Sequence, residues 1–111
     1  MKMKTILIVD DKKEIGKMLG EILKDLGYNP IICESGEQAI QYLGETDALI
    51  TDFNMNGMRG DELAEKAKER RHDMPVIIMT GYPSQVPLGY EVIPKPLDFG
   101  VIDAWLRSVT R

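Results

Sequence analysis

Apolar residues along this chain form short, unbroken runs that alternate with segments of helical periodicity. The runs are rich in valine, isoleucine and leucine, and they lack the apolar–polar alternation of a strand with one face in water. Such runs are typical of strands buried on both faces, as in a parallel sheet. They predict five strands, at residues 5–9, 30–33, 47–51, 75–80 and 90–93.

The segments between these runs carry apolar residues at the spacing of a helix face. The first predicted helix ends at Gly27, and Ser35 and Gln38 have the spacing of a capping box ahead of a second helix. A third helix is predicted over residues 60–71, and Asp98 can cap a fourth. The core-facing positions expected in the first and last helices are Ile15, Met18, Leu19, Ile22, Leu23, Leu26, Val101, Ile102, Trp105, Leu106 and Val109.

Strands that alternate with helices predict an α/β fold with helices on both faces of a parallel sheet. Five strands suit the flavodoxin-like three-layer sandwich with strand order 2-1-3-4-5, formed by one domain over residues 1–111. Only "GYPSQVPLGY" connects the last two strands, and Pro83 and Pro87 would interrupt a helix there. We therefore expect the helix between strands four and five to be lost or shortened to one turn.

Composition and charge restrict the classes of function. The chain has 111 residues, 43% of them hydrophobic, with a net charge of −4 and a pI of about 5.0. An acidic chain argues against direct binding of nucleic acid through bulk positive charge. The single cysteine, Cys33, excludes an internal disulfide, and no apolar run approaches the length of a membrane span. These features predict a cytoplasmic domain that does not enter the membrane.

Polar residues follow the predicted strands where each strand ends. Asp10 and Asp11 follow the first strand, Asp52 the third, Thr80 closes the fourth and Lys95 comes after the fifth. Because parallel strands share a carboxyl edge, the predicted sheet brings these five side chains together. Two adjacent aspartates could instead cap the following helix. If Asp10 and Asp11 are considered without the other three residues, this alternative stands beside metal binding.

Three clustered carboxylates repel one another unless a cation joins them. Oxygen ligands of this kind suit Mg²⁺ or Mn²⁺, and a cation with a nearby ammonium and hydroxyl suits a phosphoryl group. Asp52, alone at the end of a central strand, is the candidate nucleophile for an aspartyl-phosphate. Asp10 and Asp11 would then hold the metal.

The chain resembles the receiver domains of two-component response regulators. The motifs that match are "VDD", "ITDFNM", "MPVIIMTG" and "KP", and they hold Asp11, Asp52, Thr80 and Lys95. The resemblance implies that Asp52 accepts a phosphoryl group from a phosphohistidine of a sensor kinase or phosphotransfer protein.

The same resemblance implies roles for the surrounding residues. Asp11, the phosphoacceptor and the backbone carbonyl of Asn54 would bind the metal, with Asp10 reaching it through water. Lys95 would pair with phosphoryl oxygens, Thr80 would move to hydrogen-bond them, and the bond from Lys95 to Pro96 would be cis.

Two positions depart from the family pattern. Val92 stands where the family usually has Tyr or Phe, and Asn56 where it usually has Pro. Tyr90 shares the predicted strand face of Val92 and is the one aromatic candidate to replace the missing side chain. Loss of the fourth crossover helix would also remove much of the surface on which many relatives dimerise, so a monomer is expected.

The leading hypothesis is a non-enzymatic signalling module that relays phosphorylation by conformational change and partner binding. One alternative is a phosphate-independent module of the same fold. Another is a small aspartyl-phosphate phosphatase, which would need an acid where Asn54 stands. A flavin-binding carrier would need a Ser/Thr/Gly-rich loop, and "DDKKEIG" does not provide one.

Overall fold

The computed structural model describes residues 3–110. The outermost positions of the predicted domain, residues 1, 2 and 111, lie outside this part of the chain. The strands are β1 (Thr5–Val9), β2 (Asn29–Cys33), β3 (Ala48–Asp52), β4 (Val76–Thr80) and β5 (Glu91–Pro94). The helices are α1 (Lys13–Asp25), α2 (Gly36–Ala39), α3 (Gly60–Arg70) and α4 (Phe99–Val109).

All four strand pairings are parallel, and the order β2-β1-β3-β4-β5 is the predicted one. The register pairs Leu7 with Leu49 and Asp52 with Met79, so the carboxyl ends of the central strands lie side by side. Pro94 lies in β5, an edge strand, where the lost N–H donor is tolerated.

The core consists of two clusters, one on each face of the sheet. Because successive strand residues point to opposite faces, Leu7 packs with α2 and α3 while Ile8 packs with α1 and α4. The central strands β1, β3 and β4 are buried along their whole length, as the unbroken apolar runs predict. No helix within residues 3–110 is long and apolar enough to cross a membrane.

The connection between β4 and β5 lacks a regular helix, as predicted. Residues 81–90 contain only one short 3₁₀ turn, Pro83–Gln85. Val86 is buried in the cluster beside α3 and takes part of the space that a helix would fill. Leu88 is fully exposed.

Several boundaries and burial expectations differ from the structure. The second helix has one α-helical turn, Gly36–Ala39, and continues as a 3₁₀ helix over Ile40–Glu45. Three side chains expected to face the core are exposed instead, because the apolar stripe of each helix is wider than its contact with the sheet. These three residues are Met18, Leu26 and Val101.

Candidate functional site

The carboxyl edge of the sheet positions the predicted site residues through backbone hydrogen bonds. The N–H of Asp10 donates to the carbonyl of Cys33 at 3.1 Å, which extends the β1–β2 pairing to the first aspartate. Asp52 is the last residue of β3. The N–H of Lys95 donates to the carbonyl of Thr80 at 2.9 Å, so these two residues are neighbours across β4 and β5.

Three carboxylates meet at this edge. Asp10, Asp11 and Asp52 each offer an oxygen, and these oxygens lie within 4.8 Å of one another. Asp10 is 1% exposed and Asp52 is 4% exposed, whereas Asp11 faces solvent. The ammonium of Lys95 lies 3.0 Å from Asp52 and 3.8 Å from Asp10. In the described part of the chain, the cluster therefore holds two buried carboxylates and one exposed carboxylate beside the ammonium of Lys95.

Asp10 has an unfavourable environment for its charge. Burial raises the pKa of its carboxyl above the ordinary value, and the negative charge of Asp52 raises it further. A hydrogen bond from the N–H of Lys12 to Oδ1, at 2.9 Å, and the charge of Lys95 oppose this rise in pKa. The other oxygen, Oδ2, is buried and has no hydrogen-bond partner within residues 3–110.

The geometry weakens the helix-capping alternative for the acidic pair. Lys12 occupies the N-cap position of α1, and its side chain makes no capping hydrogen bond. Asp10 binds the N–H of Lys12, outside the helix, with only one of its oxygens. Its second oxygen stays available for another ligand.

A divalent cation fits this donor set. Hard carboxylate oxygens, one of them buried without a hydrogen bond, are the ligands that Mg²⁺ prefers. Asn54 lies two residues after Asp52, in the loop of residues 53–59 that leaves the same edge, with its side chain exposed. Lys95 compensates only part of the negative charge, so a second cation would relieve the remaining repulsion.

Thr80 is the last residue of β4, and its hydroxyl is buried. Its Oγ1 accepts a hydrogen bond from the N–H of Tyr82 at 3.0 Å. A hydroxyl has one proton to donate and two lone pairs, so this contact leaves its donor free. Thr80 can therefore donate to a ligand at the site.

Tyr90 directly precedes β5, and it packs with Val92 against the same cluster beside α3, as the sequence indicated. The hydroxyl of Tyr90 donates to the carboxylate of Glu65 on α3. Burial, and then this hydrogen bond, raise the pKa of Tyr90 to about 12. Tyr90 is thus held near the start of β5, at the opposite end of the strand from Lys95.

Some contacts near the site carry no signal in the sequence. Gly60 begins α3 directly against β3, and a Cβ there would lie 2.2 Å from the carbonyl oxygen of Asp52. The guanidinium of Arg59 binds both carboxylate oxygens of Asp61 at 3.0 and 3.1 Å. The carboxylate of Glu37 reaches the same loop from α2.

Comparisons with known proteins found a matching family and sequence relatives. A family model described as the response regulator receiver domain matches residues 6–103. The transcriptional regulatory protein CpxR of Escherichia coli K12 is 34% identical, over 98% of this chain and 50% of that protein. The chemotaxis protein CheY of Pseudomonas aeruginosa is 40% identical, over 68% of this chain and 64% of that protein.

Solved structures of similar fold were found as well. The response regulator TrrA of Thermotoga maritima, crystallised in complex with Mg²⁺-BeF, has a TM-score of 0.85 and 30% identity over 96% of this chain and 99% of that chain. The receiver domain of the hybrid histidine kinase CckA has a TM-score of 0.84 and 27% identity, with the same coverage of both chains. The chain spans about half the length of CpxR.

Proposed function

The chain belongs to the response regulator receiver domain family, and we propose that Asp52 is the residue on which it accepts a phosphoryl group. The observation that carries this proposal is the position of Asp52, at the carboxyl end of a central strand and 3.0 Å from the ammonium of Lys95. Two further carboxylates lie beside it. The donor would be a phosphohistidine of a sensor histidine kinase or phosphotransfer protein.

In the proposed reaction, a carboxylate oxygen of Asp52 attacks phosphorus while the bond from phosphorus to the histidine nitrogen breaks. Formation of the acyl phosphate removes the carboxylate charge of Asp52, and the Lys95 ammonium then pairs with the phosphoryl oxygens. The hydroxyl of Thr80, whose proton is free, donates to one of them. The chain acts as a phosphoryl acceptor, and the only reactions it would promote are its own phosphorylation and dephosphorylation.

Asp10, Asp11, Asp52 and the backbone carbonyl of Asn54 would hold Mg²⁺ or Mn²⁺. When bound, the metal would offset negative charge on the transferring phosphoryl group. The buried Oδ2 of Asp10, which lies 3.8 Å from the Lys95 ammonium and accepts no hydrogen bond within residues 3–110, supports this assignment. A phosphatase would need a general acid at position 54, where this chain has asparagine.

We further propose that phosphorylation is read out by a partner protein after a conformational change near Thr80. The chain would act as a monomer and in the cytoplasm, without direct contact to nucleic acid or membrane.

Intact-mass measurement after incubation with acetyl phosphate and Mg²⁺ tests the proposal. Wild type should gain one phosphoryl mass, whereas Asp52→Asn should gain none. Asp73→Asn, which changes an exposed aspartate outside the site, is the matched control and should be labelled like wild type. Labelling of Asp52→Asn, or labelling of wild type in excess chelator, would contradict the proposal.

A further inference from the structure

The loop of residues 53–59 begins directly after Asp52, the last residue of β3, and ends at Gly60, the first residue of α3. Its inner side is fixed by Phe53 and Met55, whose side chains are buried in the cluster beside α3. The N–H of Gly60 closes the loop by donating to the carbonyl of Phe53 at 2.9 Å. Asn54 lies between the two buried anchors.

The outer side of this loop is held by α2. Oε2 of Glu37 accepts a hydrogen bond from the N–H of Met58 at 3.1 Å. Gly57 has a φ of +80°, and a Cβ there would lie 2.7 Å from the same carboxylate oxygen. The carboxylate of Glu37 therefore lies directly against two successive backbone units of the loop.

The side chain of Met58 strengthens this attachment. It packs on Gly36, where a Cβ would lie 2.8 Å from the methionine sulfur. The first turn of α2 thus contacts the loop through a small residue that admits Met58 and a carboxylate that binds its N–H. Both contacts act on the arm of the loop that follows Asn54.

We propose that Glu37 is a positioning residue for the metal site, which holds the loop so that the carbonyl of Asn54 stays in place beside Asp52. This inference rests on the proposed function, since it assigns Asn54 to the metal. Glu37 acts through the backbone of Met58 and does not itself contact the metal. Residues that contact and orient the metal ligands, without touching the metal, affect the affinity for the metal.

The choice of substitution separates the hydrogen bond from the charge. Glu37→Gln keeps an oxygen that can accept the N–H of Met58 and removes the negative charge, whereas Glu37→Ala removes both. Glu45→Ala is a matched control, because Glu45 is an exposed carboxylate that lines a cavity at the opposite end of the sheet. If the hydrogen bond to Met58 matters more than the negative charge of Glu37, Glu37→Gln should bind Mg²⁺ like wild type.

The experiment is a calorimetric titration with Mg²⁺ alone, combined with hydrogen exchange at the amide of Met58. Glu37→Ala should weaken Mg²⁺ binding by about three- to tenfold, less than the loss of a group that touches a ligand directly. The Met58 amide should exchange faster in this variant. Glu37→Gln and Glu45→Ala should stay within about twofold of wild type in both measurements.

The outcomes distinguish this inference from the proposed function. Equal Mg²⁺ affinity of wild type and Glu37→Ala would overturn the role of Glu37 and leave phosphorylation of Asp52 intact. Equal losses in Glu37→Gln and Glu37→Ala would show an effect of charge and would also overturn it. Failure of wild type to bind Mg²⁺ would overturn both. Thermal melts in chelator verify that each variant is folded.

Discussion

The ammonium of Lys95 lies 3.0 Å from a carboxylate oxygen of Asp52, at the carboxyl edge of the sheet. Lys95 follows the edge strand β5, whereas Asp52 ends the central strand β3, and β4 lies between them. The side chain of Lys95 therefore reaches across β4 to the buried carboxylate. Among residues 3–110, Lys95 is the ammonium that pairs with this cluster, and the contact brings it to the proposed phosphoacceptor.

The first prediction concerns this contact. In Mg²⁺-free buffer, Lys95→Met should lower the free energy of unfolding by about 1–2 kcal/mol, because the buried carboxylates of Asp10 and Asp52 lose the compensating charge of the partly exposed Lys95. Lys13→Met is the control, since Lys13 forms an exposed ion pair with Glu34. It should change stability by less than about 0.5 kcal/mol. Urea unfolding measures the change in unfolding free energy for both variants. Equal changes for Lys95→Met and Lys13→Met would contradict the prediction.

The second prediction concerns Asp10, whose pKa is raised by burial and by the charge of Asp52. Asp10→Asn should increase stability at neutral pH without Mg²⁺ by about 1 kcal/mol, because it removes a buried charge. The amide oxygen can still accept the N–H of Lys12. The same variant should lose most of the stabilisation by Mg²⁺. Thermal melts with and without the metal decide this, and a less stable variant in chelator would show the prediction to be wrong.

The third prediction concerns the start of α3. Gly60→Ala should destabilise the protein by about 2–3 kcal/mol, because the new methyl group would overlap the carbonyl oxygen of Asp52 and push α3 away from β3. Gly81→Ala is the control, since its Cβ would meet nothing within 4 Å. It should be within about 0.5 kcal/mol of wild type. Similar unfolding midpoints for the two variants would contradict the close approach at Gly60.

The fourth prediction concerns pH. Hydrogen bonds from the Arg59 guanidinium lower the pKa of Asp61 below its ordinary value of 3.8. A carboxyl with a depressed folded-state pKa stabilises the protein above the unfolded-state pKa, and this contribution is lost as pH falls through the folded-state value. Arg59→Gln should therefore melt below wild type at neutral pH, and the two melting temperatures should converge as pH falls below 3.8. A difference that stays constant over this range would rule out the role of the pair.

The fifth prediction concerns assembly. Residues 81–90 contain only the short turn Pro83–Gln85, so a helical dimerisation surface between β4 and β5 is missing from the described part of the chain. Sedimentation should show a monomer both without and with beryllofluoride and Mg²⁺. Dimer formation on addition of the phosphoryl mimic would refute this expectation.

The amino-acid sequence by itself determined the strand order, the fold and the residues at the carboxyl edge. Val, Ile and Leu runs predicted buried strands, and a parallel sheet places residues that follow such runs at one edge. The pattern of strands therefore predicts by itself that Asp10, Asp52 and Lys95 lie together. Pro83 and Pro87 likewise predicted the shortened crossover, because proline acts on the local backbone.

Only the tertiary structure decided which side chains support this edge. Glu37 meets the N–H of Met58 across 21 residues, and Gly60 meets the carbonyl of Asp52. The exposure of Met18 and Val101 was also decided at this level. Periodicity reports which face of an element is apolar, since it depends on neighbours along the chain. Contacts between distant segments depend on how the helices pack against the sheet, and this packing cannot be predicted from local sequence patterns.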